Sequence, residues 1–133
     1  MLPSIVEALE DDGFLVEKLG ALRYSHNGSQ TLLGICKLEG DSRLNRRVDI
    51  KVYPRSQFAF AKLYFTGSAH FNRSMRLFAQ KKGYSLSDYG LFPVLRDGAN
   101  DKIAASHGIP CSTEEEVFEA LHLPYKSPGE RDV

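Results

Sequence analysis

An α+β chain in two lobes is the fold class this sequence predicts, and three observations carry that reading. Asn45–Tyr53 alternates, with Val48, Ile50 and Val52 on one side and Arg47, Asp49, Lys51 and Tyr53 on the other. A period of two is the mark of a strand with one buried face. His26-Asn27-Gly28-Ser29 separates two apolar runs of strand length, Ala21–Ser25 and Thr31–Leu38. Asn-Gly in that place is a strong hairpin signal. From Ala69, the apolar residues Phe71, Met75 and Phe78 recur at helical spacing.

The remaining elements follow in order. Leu2–Leu9 carries Ile5, Val6 and Leu9 on one helical face and ends at Asp11-Asp12-Gly13. Leu15–Leu19 shows no clean period and reads as a connection with a brief turn. Gly40-Asp41-Ser42-Arg43 makes the turn before the alternating strand, and Pro54 closes that strand. Ser56 stands where a helix cap is expected, with a helix from Gln57 to about Tyr64. Lys81-Lys82-Gly83 gives the helix that starts at Ala69 a cationic last turn and a glycine stop. Tyr84–Leu95 is extended, Asp97-Gly98 is a turn, and Lys102–Ala105 is a return strand. Thr113-Glu114-Glu115-Glu116 has the form of a capping box, so Glu114–Leu121 is expected as a helix with Val117, Phe118 and Leu121 inward and Pro124 as its stop. Ser127-Pro128-Gly129-Glu130-Arg131 reads as a loosely held tail.

Composition narrows the function classes. Of 133 residues, 42% are hydrophobic and 26% charged, which suits a globular chain with a real core. Seventeen basic residues balance seventeen acidic ones, so contact with nucleic acid has to come from a local patch rather than a broadly basic surface. Cys36 and Cys111 are far apart in sequence and read as reduced intracellular thiols, with a disulfide between them left open. His26, His70, His107 and His122 show no metal-ligand spacing, and the cysteines show none of zinc type. No signal peptide or membrane span is expected, and no membrane partner.

The chemistry-bearing stretch is Leu63-Tyr64-Phe65-Thr66-Gly67-Ser68-Ala69-His70-Phe71-Asn72-Arg73-Ser74-Met75-Arg76. It reads as an aromatic pair, a glycine turn with Ser68 as N-cap, and an amphipathic helix. Asn72, Arg76 and Gln80 form a polar stripe on that helix, with Arg73 beside it. Aromatic faces suit stacking on a sugar or base, and amide and guanidinium groups suit base edges and phosphates. On spacing alone, an ordinary solvated face is the favoured reading. The same holds for Asp49, which could simply be one carboxylate among surface cations on a strand.

The wording of these segments goes further than their spacing. Tyr64-Phe65-Thr66-Gly67-Ser68 followed by Phe71-Asn72-Arg73-Ser74-Met75-Arg76 resembles the nucleotide-pocket segment of the family X DNA polymerases. Arg46-Arg47-Val48-Asp49-Ile50 is similar to the family's palm strand bearing its third catalytic aspartate. Lys82-Gly83-Tyr84-Ser85-Leu86-Ser87-Asp88-Tyr89-Gly90-Leu91, and the ending from Leu123-Pro124-Tyr125 to Glu130-Arg131-Asp132, resemble its thumb. The resemblance covers nearly the whole chain, in order.

It implies a partial nucleotidyltransferase palm over residues 1–55, with an antiparallel or mixed sheet, followed by a small α+β thumb over residues 56–133. The implied reaction is nucleotidyl transfer in gap-filling DNA repair synthesis, with Mg²⁺ (or Mn²⁺) held by carboxylates. Asp49 is then the catalytic, metal-binding aspartate nearest the primer end. The other two aspartates of the family's Gly-Asp-x-Asp motif are expected before Met1, as are the glycine-serine segment that grips the triphosphate and the lyase and fingers regions. The chain alone is therefore expected to be inactive. Tyr64, Phe65, Gly67 and Asn72 are implied to meet the incoming nucleotide, Arg76 the templating base and Arg73 the template strand. Asp88, a looser match, stands where the nearest family pattern has a glutamate on the DNA side. The implied partners are gapped or primed duplex DNA, a deoxynucleoside triphosphate and repair proteins, and the implied location is the nucleus. Two alternatives stay open: a stand-alone DNA- or partner-binding thumb module, and part of a template-independent terminal transferase, whose wording in the Tyr64–Ser68 segment is expected to differ.

Overall fold

The computed structural model describes residues 1–40, 44–97, 101–104 and 107–133, and the chain divides into two compact units, Met1–Pro54 and Arg55–Val133. The turn expected at Asp41–Arg43, the turn expected at Gly98 and the strand end expected at Ala105 lie outside the described residues.

In the first unit, helix α1 (Leu2–Asp11) packs on a sheet of β1 (Leu15–Lys18), β2 (Arg23–Tyr24), β3 (Gln30–Lys37) and β4 (Asn45–Val52). All pairings are antiparallel. β1 and β2 share one edge of β3, and β4 runs along the other for the full length of β3. Leu2 and Val6 of α1 meet Leu15 and Leu32 in the core, with Val48, Ile50 and Val52 packed against them from β4. That is the face the alternation of β4 predicts, and it leaves Asp49 on the opposite face. The Asn27-Gly28 hairpin forms: Gly28 N–H donates to Ser25 O at 2.9 Å, and Ser25 N–H donates to Ser29 O at 2.9 Å.

One reading in this unit is corrected. Leu15–Lys18 is a strand, not a connection. Its register slips between Leu15 and Glu17, so Leu15 is buried while Val16 is pushed outward. The bulge hides the period-two pattern, and Gly34 of β3 accommodates the crossing, since a Cβ there would lie 2.7 Å from Leu15 Cδ1.

In the second unit, a 3₁₀ turn (Arg55–Gln57) leads into α2 (Phe58–Thr66), then α3 (Ala69–Lys81). A three-stranded antiparallel meander follows: β5 (Tyr84–Ser87), β6 (Gly90–Asp97) and β7 (Asp101–Ala104). Helix α4 (Glu114–Ala120) and a 3₁₀ turn (Pro128–Arg131) complete it. Phe60, Leu63, Met75, Ala79, Leu91, Val117, Phe118 and Leu121 form its core. The three inward residues expected of α4 are all buried.

Four details of this unit depart from expectation. Ser56 is not the cap of α2: the chain enters α2 through the 3₁₀ turn, and Gln57 occupies the cap position without a side-chain capping bond. The extended run from Tyr84 is broken at Asp88-Tyr89 into a hairpin. Thr113 Oγ1 accepts from Glu116 N–H at 3.2 Å, but Glu116 reaches back to Ser112 N–H, at 2.7 Å, one residue before the cap. Helix α4 ends before Pro124, at His122, whose φ of 56° and bonds from His122 N–H to Glu119 O and Leu123 N–H to Phe118 O make a Schellman stop.

The largest correction concerns the tail. Ser127–Arg131 is built, with a reciprocal capping box between Ser127 and Glu130, and Arg131 is 0% exposed. Long-range pairing outweighs the local entropy that its Ser-Pro-Gly composition suggests. Cys36 and Cys111 are both buried and free, so no disulfide joins them.

Candidate nucleotide and nucleic-acid interface

The polar groups singled out in the second unit gather where α2 turns into α3. Tyr64 and Phe65 occupy the last turn of α2, their rings 4.9 Å apart and edge-to-face. Tyr64 is half-buried, and Phe65 is 54% exposed, so the pair is a ledge with one rooted and one open ring. Phe60, Leu63 and Met75 lie beneath Tyr64, all three buried. The hollow among these residues measures about 10 Å³, room for a single water and far short of a base. The hollow is too small to enclose a nucleotide base, so only the surface of the ledge is open to one.

The turn itself depends on glycine. Gly67 has φ 73° and ψ −154°, a combination that residues with a Cβ strongly avoid, and the Gly67–Ser68 peptide is cis. Ser68 caps α3 as expected, its Oγ accepting from Phe71 N–H at 3.3 Å. Thr66 Oγ1 donates to Lys62 O at 2.7 Å and adds a bond inside the last turn of α2.

Asn72 and Arg76, one helical turn apart on α3, both reach back to Tyr64. Asn72 Nδ2 donates to Tyr64 O at 2.7 Å, and the Arg76 guanidinium lies 6.0 Å from the Tyr64 ring. The carbonyl at a helix C-terminus lacks an intrahelical partner, and the Asn72 amide supplies one. That bond uses one amide donor and leaves the other donor and the amide oxygen as the remaining hydrogen-bonding groups of Asn72. Arg73 is exposed beside it. Arg73 and Arg76, with Lys81 and Lys82 at the C-terminal end, make α3 locally basic within a neutral chain.

Asp88 falls in the β5–β6 turn, half-buried. Its neighbours Leu86 and Ser87 line the hollow under Tyr64 and Asn72, a role that no sequence pattern signals. Asp49 belongs to the other unit. It is exposed on β4, opposite Leu33 of β3, and Arg47 Nε lies 3.2 Å from its Oδ1.

Among the described residues, no three His, Cys, Asp or Glu side chains come together to hold a metal ion. Asp49 offers a hard-oxygen ligand of the type Mg²⁺ prefers, but a single carboxylate, already paired with Arg47, does not make a metal site. Among the described residues, Asp49 fits a metal as one member of a larger ligand set.

Comparison with known proteins bears directly on this geometry. The family model of the DNA polymerase beta thumb matches residues 61–132, and that of the DNA polymerase beta palm matches residues 1–55. The chain belongs to the DNA polymerase beta family. Within this family X it is 47% identical over 130 residues to the DNA polymerase lambda of Rattus norvegicus, an alignment covering 96% of this chain and 22% of that protein. It is 36% identical over 137 residues to the DNA polymerase lambda of Arabidopsis thaliana, covering 99% of this chain and 26% of that protein. The chain thus spans about a quarter of the length of the curated relatives it matches, over their palm and thumb segments. The α+β palm and thumb anticipated from the sequence is the family's architecture. Divalent metal is a general requirement of such polymerases. Palm and thumb domains of this kind imply DNA binding.

Proposed function

We propose that this chain provides one catalytic carboxylate and the base-pair-checking face of a DNA-directed DNA polymerase that fills short gaps during nuclear DNA repair. The palm contribution is assigned to residues 1–55 and the thumb to residues 56–133. The observation that carries the reading is the tie from Asn72 to the Tyr64 carbonyl, with Arg76 over the Tyr64 ring. It fixes an aromatic surface and two base-edge donors as one rigid group, which is what discrimination by shape requires.

In this reading Tyr64 and Phe65 pack against the incoming sugar and sense its 2′ position. Gly67 keeps the turn free of a side chain there. Asn72 donates to the minor-groove edge of the incoming base. Arg76 does the same for the templating base, and Arg73 holds the template strand. Asp88 borders the DNA side from the β5–β6 turn. Asp49 is a ligand for Mg²⁺ or Mn²⁺, and bound metal lowers the pKa of the attacking hydroxyl and offsets charge at phosphorus. In the absence of metal, Arg47 Nε donates to Asp49 Oδ1 at 3.2 Å and orients the carboxylate.

The partners are gapped or primed duplex DNA and a deoxynucleoside triphosphate. The residues of this chain alone do not polymerise, because one carboxylate cannot hold two metals. The test is an NMR titration with a duplex carrying a one-nucleotide gap, with and without Mg²⁺ and nucleotide. Shifts at Tyr64, Asn72, Arg73 and Arg76 are expected, weakening with salt as phosphate contacts release counterions. A folded chain with no shifts at these residues overturns the proposal, and template-dependent incorporation by this chain alone overturns its inactivity.

A further inference from the structure

Arg131 is the one fully buried cation among the described residues; it is paired and ringed by aromatics, while its Nη2 has no hydrogen-bond partner among them. Its Nη1 lies 2.6 Å from Glu114 Oε2, and its Nε donates to Lys126 O at 2.8 Å. Three aromatic rings enclose the guanidinium: Phe118 at 5.3 Å, Tyr125 at 5.5 Å and Phe71 at 6.0 Å from its central carbon. Glu114 is itself only 7% exposed, and its second oxygen has Lys62 Nζ at 4.0 Å. A cation withdrawn so fully from water persists only when paired and stacked in this way.

What this buried group holds is the turn under the aromatic ledge. The carbonyl of Arg131 accepts from Ser68 N–H at 3.2 Å, and Ser68 Oγ donates to Val133 O at 3.2 Å. Phe71, which stacks on the guanidinium, is also the residue whose N–H bonds to Ser68 Oγ. The tail therefore grips the Gly67-Ser68 turn through the backbone of residues 131 and 133, and grips the first turn of α3 through the Arg131 side chain. Any residue at 131 has a carbonyl. Only one locked in place by its side chain presents that carbonyl at a fixed position.

We propose that Arg131 is a positioning residue for nucleotide selection. Its pairing with Glu114 fixes the tail, the tail fixes Ser68, and Ser68 fixes the angle at which Tyr64 and Phe65 meet the sugar. The inference rests on the sugar-facing role given to that ledge above. A plain tail clamp would stabilise the unit without changing the order of the turn, and the two roles are separable.

The experiment uses the full chain in three forms: wild type, the Arg131→Met/Glu114→Gln double variant, and Leu91→Ala. The double variant removes both buried charges together; Lys62, which loses Glu114 as a partner, is exposed to solvent. Leu91→Ala opens a cavity in β6, with no bond to the turn, and serves as a control for general destabilisation. Each form is studied at the same interval below its own melting temperature. Hydrogen exchange at Ser68 N–H and at the Asn72 side-chain amide is read first, without ligand. The expected result is at least tenfold faster exchange at Ser68 in the double variant and no change at this site in Leu91→Ala. Equal exchange in the double variant and wild type, or equal acceleration in both variants, overturns the proposal. Titration with gapped duplex and either a deoxyribo- or a ribonucleoside triphosphate is read second. Where wild type prefers the deoxy form, the double variant should narrow that preference several-fold while Leu91→Ala keeps it, and an unnarrowed preference overturns the proposal. A wild type that binds neither nucleotide defeats the sugar-facing role itself, and with it selection by Arg131, whereas the exchange data still decide whether Arg131 orders the turn.

Discussion

Replacing Gly67 by alanine tests the turn on which the candidate site depends. Gly67 has φ 73° and ψ −154°, and an added Cβ would meet nothing closer than Ala69 N at 3.5 Å. Space is therefore not the obstacle; the backbone conformation is. Holding a residue with a Cβ in this region costs about 1–3 kcal/mol. For a unit of this size, each kcal/mol lowers the melting temperature by roughly 4–8 °C, so Gly67→Ala should melt at least several degrees below wild type. Gly129 is the control, because it has open space around its Cβ and no left-handed φ. Gly129→Ala should be neutral, or stabilising by up to about 1 kcal/mol through loss of unfolded-state freedom. Thermal melts followed by circular dichroism compare the two. If the chain instead relieves the strain by reshaping the turn, the melt changes less, but the Asn72 side-chain amide must then leave Tyr64 O and its NMR resonance must shift. Equal melting of the two variants, with the Asn72 resonance unmoved, would refute the argument.

The other predictions concern single groups. Asn72→Ala removes the bond to Tyr64 O and should lower stability by about 0.5–1.5 kcal/mol in urea denaturation; an unchanged midpoint would show that the tie contributes nothing. Asp49→Asn removes only an exposed pair with Arg47, so stability should change by no more than about 1 kcal/mol. Metal-dependent incorporation by a polymerase containing this segment should nevertheless be lost, and retained incorporation would remove Asp49 from the metal site. The Cys111 thiol has its pKa raised, first by burial and then by the Glu116 carboxylate. A folded-state pKa above the unfolded one gives stability that is full below the unfolded value and is lost as pH rises through the folded value. Melting temperature should thus fall more steeply above about pH 8.5 in wild type than in Cys111→Ala, and parallel profiles would rule this out.

What could be read from the sequence, and what could not, divides by the range of the interaction. Short-period signals came through: the alternation of β4, the Asn27-Gly28 hairpin, Ser68 as the cap of α3, and the inward face of α4 each depend on neighbours within a few residues. Tyr64, Asn72 and Arg76 lie together because a single turn and one helical repeat bring them to the same place. β1 was lost because a bulge inverts its pattern at Val16, and whether a run becomes a strand is decided by its partner, here β3. The tail was misread for a deeper reason. Ser-Pro-Gly composition reports the freedom of an isolated segment, whereas its order comes from Glu114, Phe118 and Ser68, which are distant in sequence. A charged residue near a chain end carries no mark that distinguishes a solvated side chain from a buried one until its counter-ion is located. Glu114 was in plain view as the first residue of a helix, with nothing near it in sequence to mark it as buried. Its burial with Arg131 changes what that helix is for: it anchors the tail that holds the turn under Tyr64. The ledge is therefore specified by residues 64–76 only in its chemistry, and in its geometry by residues 114–131 as well.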